Sequence, residues 1–222
     1  MDITTSNLDV ALTVAPDQDI YGRVIAAEGA TLPPLDTLKI ELKPANDMLR
    51  LYRIPAPSTV ADGRFLFKNV GWLRHQVVVR GLGSQYYVKE VRNDGRVAPD
   101  GVITLSQGAQ LEIVIDDRSA VLSGSVTEDG RPVSQPIVYL TRWPMSSLNP
   151  IVDTTGDNQG RFQITGLAPG EYRVLAVLSA PLPDGLELEK DVLPRLWNRA
   201  DTLTLRRGSS QTVALKLADP WR

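Results

Sequence analysis

The sequence predicts an all-β chain of two tandem, seven-stranded β-sandwiches, and three observations carry that prediction. Short runs in which apolar and polar residues alternate recur along the chain, as strands with one face on a core require. Turn chemistry interrupts them about every 8 to 12 residues, the spacing of Ig-like sandwiches, with almost no helical periodicity. The same order of strands and turns also occurs twice: Gly124 lies 102 residues after Gly22, Gly160 lies 97 after Gly63, and Gly208 lies 100 after Gly108. A period this constant marks a repeated module.

In chain order, Leu8, Val10, Leu12 and Val14 alternate with Asp9, Ala11 and Thr13 and predict a strand ended by Pro16-Asp17. Ile20 to Val24 predicts the next. After the turn-rich AAEGATLPPLD, Leu38, Ile40 and Leu42 alternate with Lys39, Glu41 and Lys43. Leu49 to Ile54 reads as a shorter strand. Asp62-Gly63 then turns the chain into a run with Phe65 and Phe67 on one face and Arg64, Leu66 and Lys68 on the other. Gln76 to Gly81 is rich in β-branched residues, and Tyr86, Val88 and Glu90 oppose Tyr87, Lys89 and Val91 before the strong Asn93-Asp94-Gly95 turn. Val102 to Leu105 and Leu111 to Ile115 complete the first block.

The short, charged junction Asp116-Asp117-Arg118-Ser119 predicts two domains, 1–116 and 117–222, held with little slack. In the second block VLSGSV echoes IYGRV, Ile137 to Thr141 echoes Leu38 to Leu42, and GRFQITGLAPGEYRV echoes GRFLFKNVGWLRHQV. Gln211 to Leu217 echoes Leu111 to Ile115. Residues 7–24 also align with 110–126, so the N-terminal strand is expected to be the last strand of a preceding module in a longer array. One stretch departs from the β pattern. Leu188, Val192 and Leu196 fall four apart within residues 186–201 and predict a short helix or irregular lid, limited by Pro194.

Composition narrows the function. A net charge of −2 and a pI near 5.5 argue against a phosphate-binding surface, and nucleic acid is not an expected partner. Without cysteine there are no disulfides, thiolate nucleophiles or Cys-based zinc sites. The longest uncharged apolar run is about half of the ~20 residues a membrane span needs. The first ten residues do not read as a signal peptide.

Candidate chemistry is sparse. His75 is the single histidine, so a multi-histidine metal site cannot be built, and beside Arg74 it reads as a surface or loop residue. Glu171, Glu187, Glu189 and Asp191 are the carboxylates from which a hydrolytic pair would come, though solvated turn carboxylates explain them. Asp153, Asp157 and Asn158 lack the alternating ligand order of a calcium loop, and a hairpin turn explains them better. No catalytic residue, metal or cofactor is expected. Trp143, Trp197 and Trp221, in loop-like or terminal surroundings, and Trp72 at the first corner are the rings on which a sugar could stack; capping of the sandwich cores is the competing reading.

NQGRFQITGLAPGEYRV closely resembles the central motif of carboxypeptidase regulatory-like domains, and SGSVTEDGRPVSQPIVYL resembles their opening. YYVKEV and RLWNRADTLTLRRGSSQTVALKL resemble later parts of tandem modules in large bacterial envelope proteins. The resemblance covers the second block well and the first more loosely, where the corner reads NVGWLRHQV. It implies transthyretin-like (prealbumin-like) sandwiches, grouped with carbohydrate-binding-like folds, in an extracytoplasmic setting and without catalysis. The lysine that begins the Lys-Asn isopeptide crosslink of the similar collagen-adhesin B-type domains is missing from VLSGSV and IYGRV, which rejects that crosslink. The expected function is a non-enzymatic spacer or protein-interaction pair with neighbouring β-sandwich domains as partners, and the alternative is a carbohydrate-binding module using its loop tryptophans.

Overall fold

Alternating runs become paired strands in the computed structural model, which describes residues 17–45, 55–71, 74–105, 108–144, 151–178 and 193–218. The first sandwich contains β1 (Gln18–Ala26), β2 (Lys39–Pro44), β3 (Ser58–Thr59), β4 (Arg64–Val70), β5 (Arg74–Arg80), β6 (Tyr87–Asn93), β7 (Arg96–Ala98), β8 (Val102–Thr104) and β9 (Gln110–Asp116). The second contains β10 (Ala120–Glu128), β11 (Arg131–Pro132), β12 (Ile137–Arg142), β13 (Val152–Thr155), β14 (Arg161–Leu167), β15 (Gly170–Val177), the helix α1 (Leu193–Trp197), β16 (Asp201–Leu205) and β17 (Ser210–Lys216). Predicted strands at Leu8 to Val14 and Leu49 to Ile54 lie outside the described residues.

The first sandwich faces a sheet ordered β4, β1, β9, β6, β7 against one ordered β3, β2, β5, β8. In the second, β10 lies between β14 and β17 and also pairs β11, and the facing sheet runs β13, β12, β15, β16. Seven strands therefore correspond: β1, β2, β3, β4, β5, β8 and β9 match β10, β12, β13, β14, β15, β16 and β17 in order and in neighbours. Both first strands run parallel to their closing strands and carry a register shift at the same place, between Gln18 and Ile20 and between Ala120 and Leu122.

The repeated glycine has a packing reason. Gly22 sits opposite Phe65, and a Cβ there would come within 2.0 Å of that ring. Gly124 sits opposite Phe162, and a Cβ would meet the Val213 carbonyl at 2.3 Å and the Phe162 ring at 2.8 Å. Each phenylalanine thus lies across a strand position where only hydrogen fits. Around it the inward residues close a core: Ile20, Leu38, Ile40, Leu42, Phe67, Leu111 and Ile113 in the first sandwich, and Leu122, Val138, Leu140, Ile164, Val174 and Leu205 in the second.

Two expectations are corrected here. His75 is buried, with 1% of its surface exposed, because it shares the inward side of β5 with Val77 and is paired between Pro44 and Ile103. Strand parity outweighed the charged neighbour Arg74. Alternation across Tyr86 to Val91 also fails beyond Val88, where a register shift between Val88 and Glu90 lets both Val88 and Val91 reach the core.

Among the described residues of the 186–201 window the helix appears as α1. Leu193, Leu196 and Trp197 pack on Tyr139, Leu175 and Val177, which form the outer face of the β12–β15 pair. Leu188 and Val192 lie outside the described residues.

Candidate functional site

Two places concentrate polar groups and aromatic rings: the junction between the sandwiches and an open groove beside it. The junction begins where β9 carries Asp116 to its last position, fully buried. The Tyr87 hydroxyl donates to its Oδ2 at 3.3 Å from the paired position of β6. The Arg207 guanidinium, from the turn before β17, pairs with the same oxygen. Oδ1 accepts the Arg118 backbone N–H at 3.0 Å. Burial alone would raise the Asp116 carboxyl, but the hydrogen bonds from Arg207 and Arg118 and their charges outweigh it and hold the group below the usual carboxylate range. Burial, and then the Asp116 charge, push the Tyr87 phenol up.

Further bonds surround this centre. Asp117 accepts the Thr31 N–H and hydroxyl, both at 2.8 Å, and the Thr31 N–H is the first cause of its lowered pKa. Ser119 donates its hydroxyl to the Ser84 carbonyl at 2.9 Å and its N–H to the Gln85 carbonyl at 3.2 Å. The Gly208 N–H donates to the Arg118 carbonyl at 2.8 Å. Residues 117–119 are thus held by loops of both sandwiches.

The groove, of about 930 Å³, is lined from the first sandwich by Val79, Tyr86 and Val88 and from the second by Trp143, Gly166 and Tyr172. The GLAPG corner is therefore more than a turn: Gly166 stands beside the Ser84 and Tyr86 carbonyls. Within that corner the Tyr172 hydroxyl donates to the Ala168 carbonyl at 2.7 Å, and burial raises its pKa. Trp143 is half-buried at the end of β12, and the Arg173 guanidinium lies over its ring at 4.7 Å from the centroid. Arg173 also donates to the Ala200 carbonyl at 3.0 Å, tying the chain after α1 to the sheet.

The two sequence-predicted rings among the described residues, Trp143 and Trp197, do not converge. Trp143 borders the groove, whereas Trp197 is 1% exposed among Leu193, Leu196 and Leu175 and presents no ring face to solvent. Trp72 and Trp221 lie outside the described residues, as do Glu187, Glu189 and Asp191. Glu171 is exposed on β15. Asp157 Oδ1 accepts the Gln159 and Arg161 N–H groups, both at 2.8 Å, and so closes the hairpin turn. Among the described residues no three His, Cys, Asp or Glu side chains form a metal-sized cluster, and no helix is long and apolar enough to cross a membrane. What the residue patterns missed is Asp116, because a partner 91 positions away at Arg207 leaves no local signal.

No family model matches the chain, and no curated protein does. Among solved structures it is similar to the minor pilin of Streptococcus agalactiae, at 12% identity and a TM-score of 0.39 over 90% of this chain and 94% of that one. A DUF3823 family protein from Parabacteroides merdae is 12% identical, with a TM-score of 0.32 over 73% of this chain and 91% of the other. The Bacillus anthracis TIE protein is also 12% identical, with a TM-score of 0.31, and 90% of this chain spans 33% of its length. At such scores these likenesses carry no statement about function.

Proposed function

We propose that the chain is a non-catalytic pair of β-sandwich modules, divided into 1–116 and 117–222, that acts as a spacer or protein-interaction unit of a larger bacterial cell-envelope protein. The observation that supports this best is the junction, where Asp116 gathers Tyr87, Arg118 and Arg207 and only residues 117–119 separate β9 from β10. A spacer transmits position only if its modules keep a set angle, and a buried, multiply bonded carboxylate at a short link has that effect. The extracytoplasmic setting and the carboxypeptidase regulatory-like assignment rest on the GRFQITGLAPGEYRV and SGSVTEDGRPVSQPIVYL motifs, which occupy β14, β15 and β10 to β12. Solution scattering tests the reading: one narrow distribution of inter-module angles is expected for the native chain and a broader one for Asp116→Ala. A broad native distribution would count against it.

A second reading, carbohydrate binding, is favoured by one observation: Trp143 borders a groove large enough for a small glycan. Glycan-array binding that disappears in Trp143→Ala would move the assignment to it.

A further inference from the structure

β5 and its counterpart β15 are covered unequally. β16 pairs with β15 at five positions, from Gly170↔Leu205 to Val174↔Asp201. β8 pairs with β5 at only three, from Arg74↔Thr104 to Gln76↔Val102, because it begins only after the Pro99–Gly101 turn. Among the described residues no strand lies beside β5 beyond Gln76 on that side. β7 likewise pairs with β6 only from Val91 to Asn93, so Tyr87 to Glu90 have β9 on one side and no described strand on the other. Both uncovered halves line the groove.

Parity shows what β5 offers there. The Ala45 N–H donates to the Arg74 carbonyl at 2.9 Å, so even-numbered residues of β5 bond to β2 and odd-numbered ones turn their N–H and C=O to the other side. A Cβ on Gly101 would meet the Val77 carbonyl at 3.4 Å, so Val77 is covered. Val79 is the residue whose backbone pair faces the groove.

The walls around that edge are aliphatic. Val79, Leu82 and Val88 are only partly buried, and Val97 is 56% exposed. Ring faces are scarcer: Tyr172 is 6% exposed with its hydroxyl bound to the Ala168 carbonyl, and the Arg173 guanidinium occupies one face of Trp143. Aliphatic side chains beside an uncovered strand edge suit a peptide, which brings main-chain groups and alternate apolar side chains together, better than a sugar, which needs ring faces. Charge narrows the peptide. Lys89 from the first sandwich and Arg142 from the second line the groove without an ion pair among the described residues, while of the two acids there Glu90 is paired with Arg92 and only Asp100 remains.

We propose that the groove takes an extended segment of a partner polypeptide, laid along β5 in line with β8, with apolar residues against Val79 and Val88 and an acidic residue drawn to Lys89 and Arg142. The inference rests on the protein-interaction reading and names the partner's chemistry. Selection of displayed random peptides on the full 222-residue chain is expected to enrich sequences that alternate apolar residues and carry Asp or Glu. A synthetic peptide of the enriched sequence should slow amide exchange at Val79 in the unaltered chain, an arm that needs no variant to fold. Arg142→Glu, at an exposed position, should weaken its binding by about tenfold or more. Enrichment of no common pattern, exchange protection confined to residues outside the groove, or affinity unchanged in both Arg142→Glu and Lys89→Glu would each overturn the proposal. Glycan binding that is lost in Trp143→Ala would overturn it too, by assigning the groove to a sugar. A chain that keeps one inter-module angle in scattering yet selects no such peptide loses this inference and keeps the spacer reading.

Discussion

The two sandwiches share seven strands but differ in what lies between the fifth and sixth of them. Between β5 and β8 the first inserts the β6–β7 hairpin, which joins the sheet through β9. Between β15 and β16 the second carries α1, which packs on the outer face of the opposite sheet. The consequence is measurable at equivalent residues: Leu111 is buried on both sides while Val213 stays partly exposed. A repeat conserves the geometry of its strands, and insertions decide which edges and faces are covered.

The largest effect should come from the insert of the second sandwich. Trp197→Ala removes the largest side chain that α1 buries and is expected to cost about 3–5 kcal/mol, read as an earlier chemical-denaturation transition. Should that transition not move, α1 contributes little and the contrast between inserts loses its meaning. Next, Gly124→Ala should cost about 3 kcal/mol and Gly22→Ala nearer 1 kcal/mol. The first collides with the Val213 carbonyl, which cannot rotate away, and the second only with the Phe65 ring. Equal losses would show that the two glycines are equivalent after all.

Asp116→Ala is expected to cost about 2 kcal/mol, since it strips a charged hydrogen-bond partner from Tyr87 and Arg207, and to separate the unfolding of the two sandwiches. The same coupling should depend on pH. Asp116 and Asp117 have lowered pKa values when folded, so their contribution is full above the ordinary carboxylate value of about 4 and is lost as pH falls through the folded values. Denaturation midpoints measured from neutral to strongly acidic pH should diverge between native chain and Asp116→Ala at neutral pH and converge in acid. The smallest effect belongs to Trp143→Ala, about 0.5–1 kcal/mol, from losing the Arg173 contact at a half-buried ring.

Much of the fold was legible because sandwich strands write their burial into period 2. Phe65 and Phe67, Leu38, Ile40 and Leu42, and Phe162 and Ile164 all lie where alternation put them. His75 follows the parity of β5 and not the charge beside it, and Tyr86 to Val91 departs from alternation because a bulge changes parity without a residue type that announces it. The sites were less legible. Trp143 and Trp197 each have a polar neighbour in sequence, Arg142 and Asn198, yet one borders a groove and the other, the last residue of α1, is packed on Leu175.

By itself the sequence determined the all-β class, the duplicated seven-strand plan and the turns that close it. These rest on local periodicity, turn chemistry and spacing, which any stretch of chain displays without reference to another. Tertiary structure alone decided that Asp116 meets Arg207 and Tyr87, that Gly166 faces Ser84, and that β6 covers β9. Each of those depends on elements far apart in the chain being placed side by side, and no residue carries its distant partner's position in its own neighbourhood.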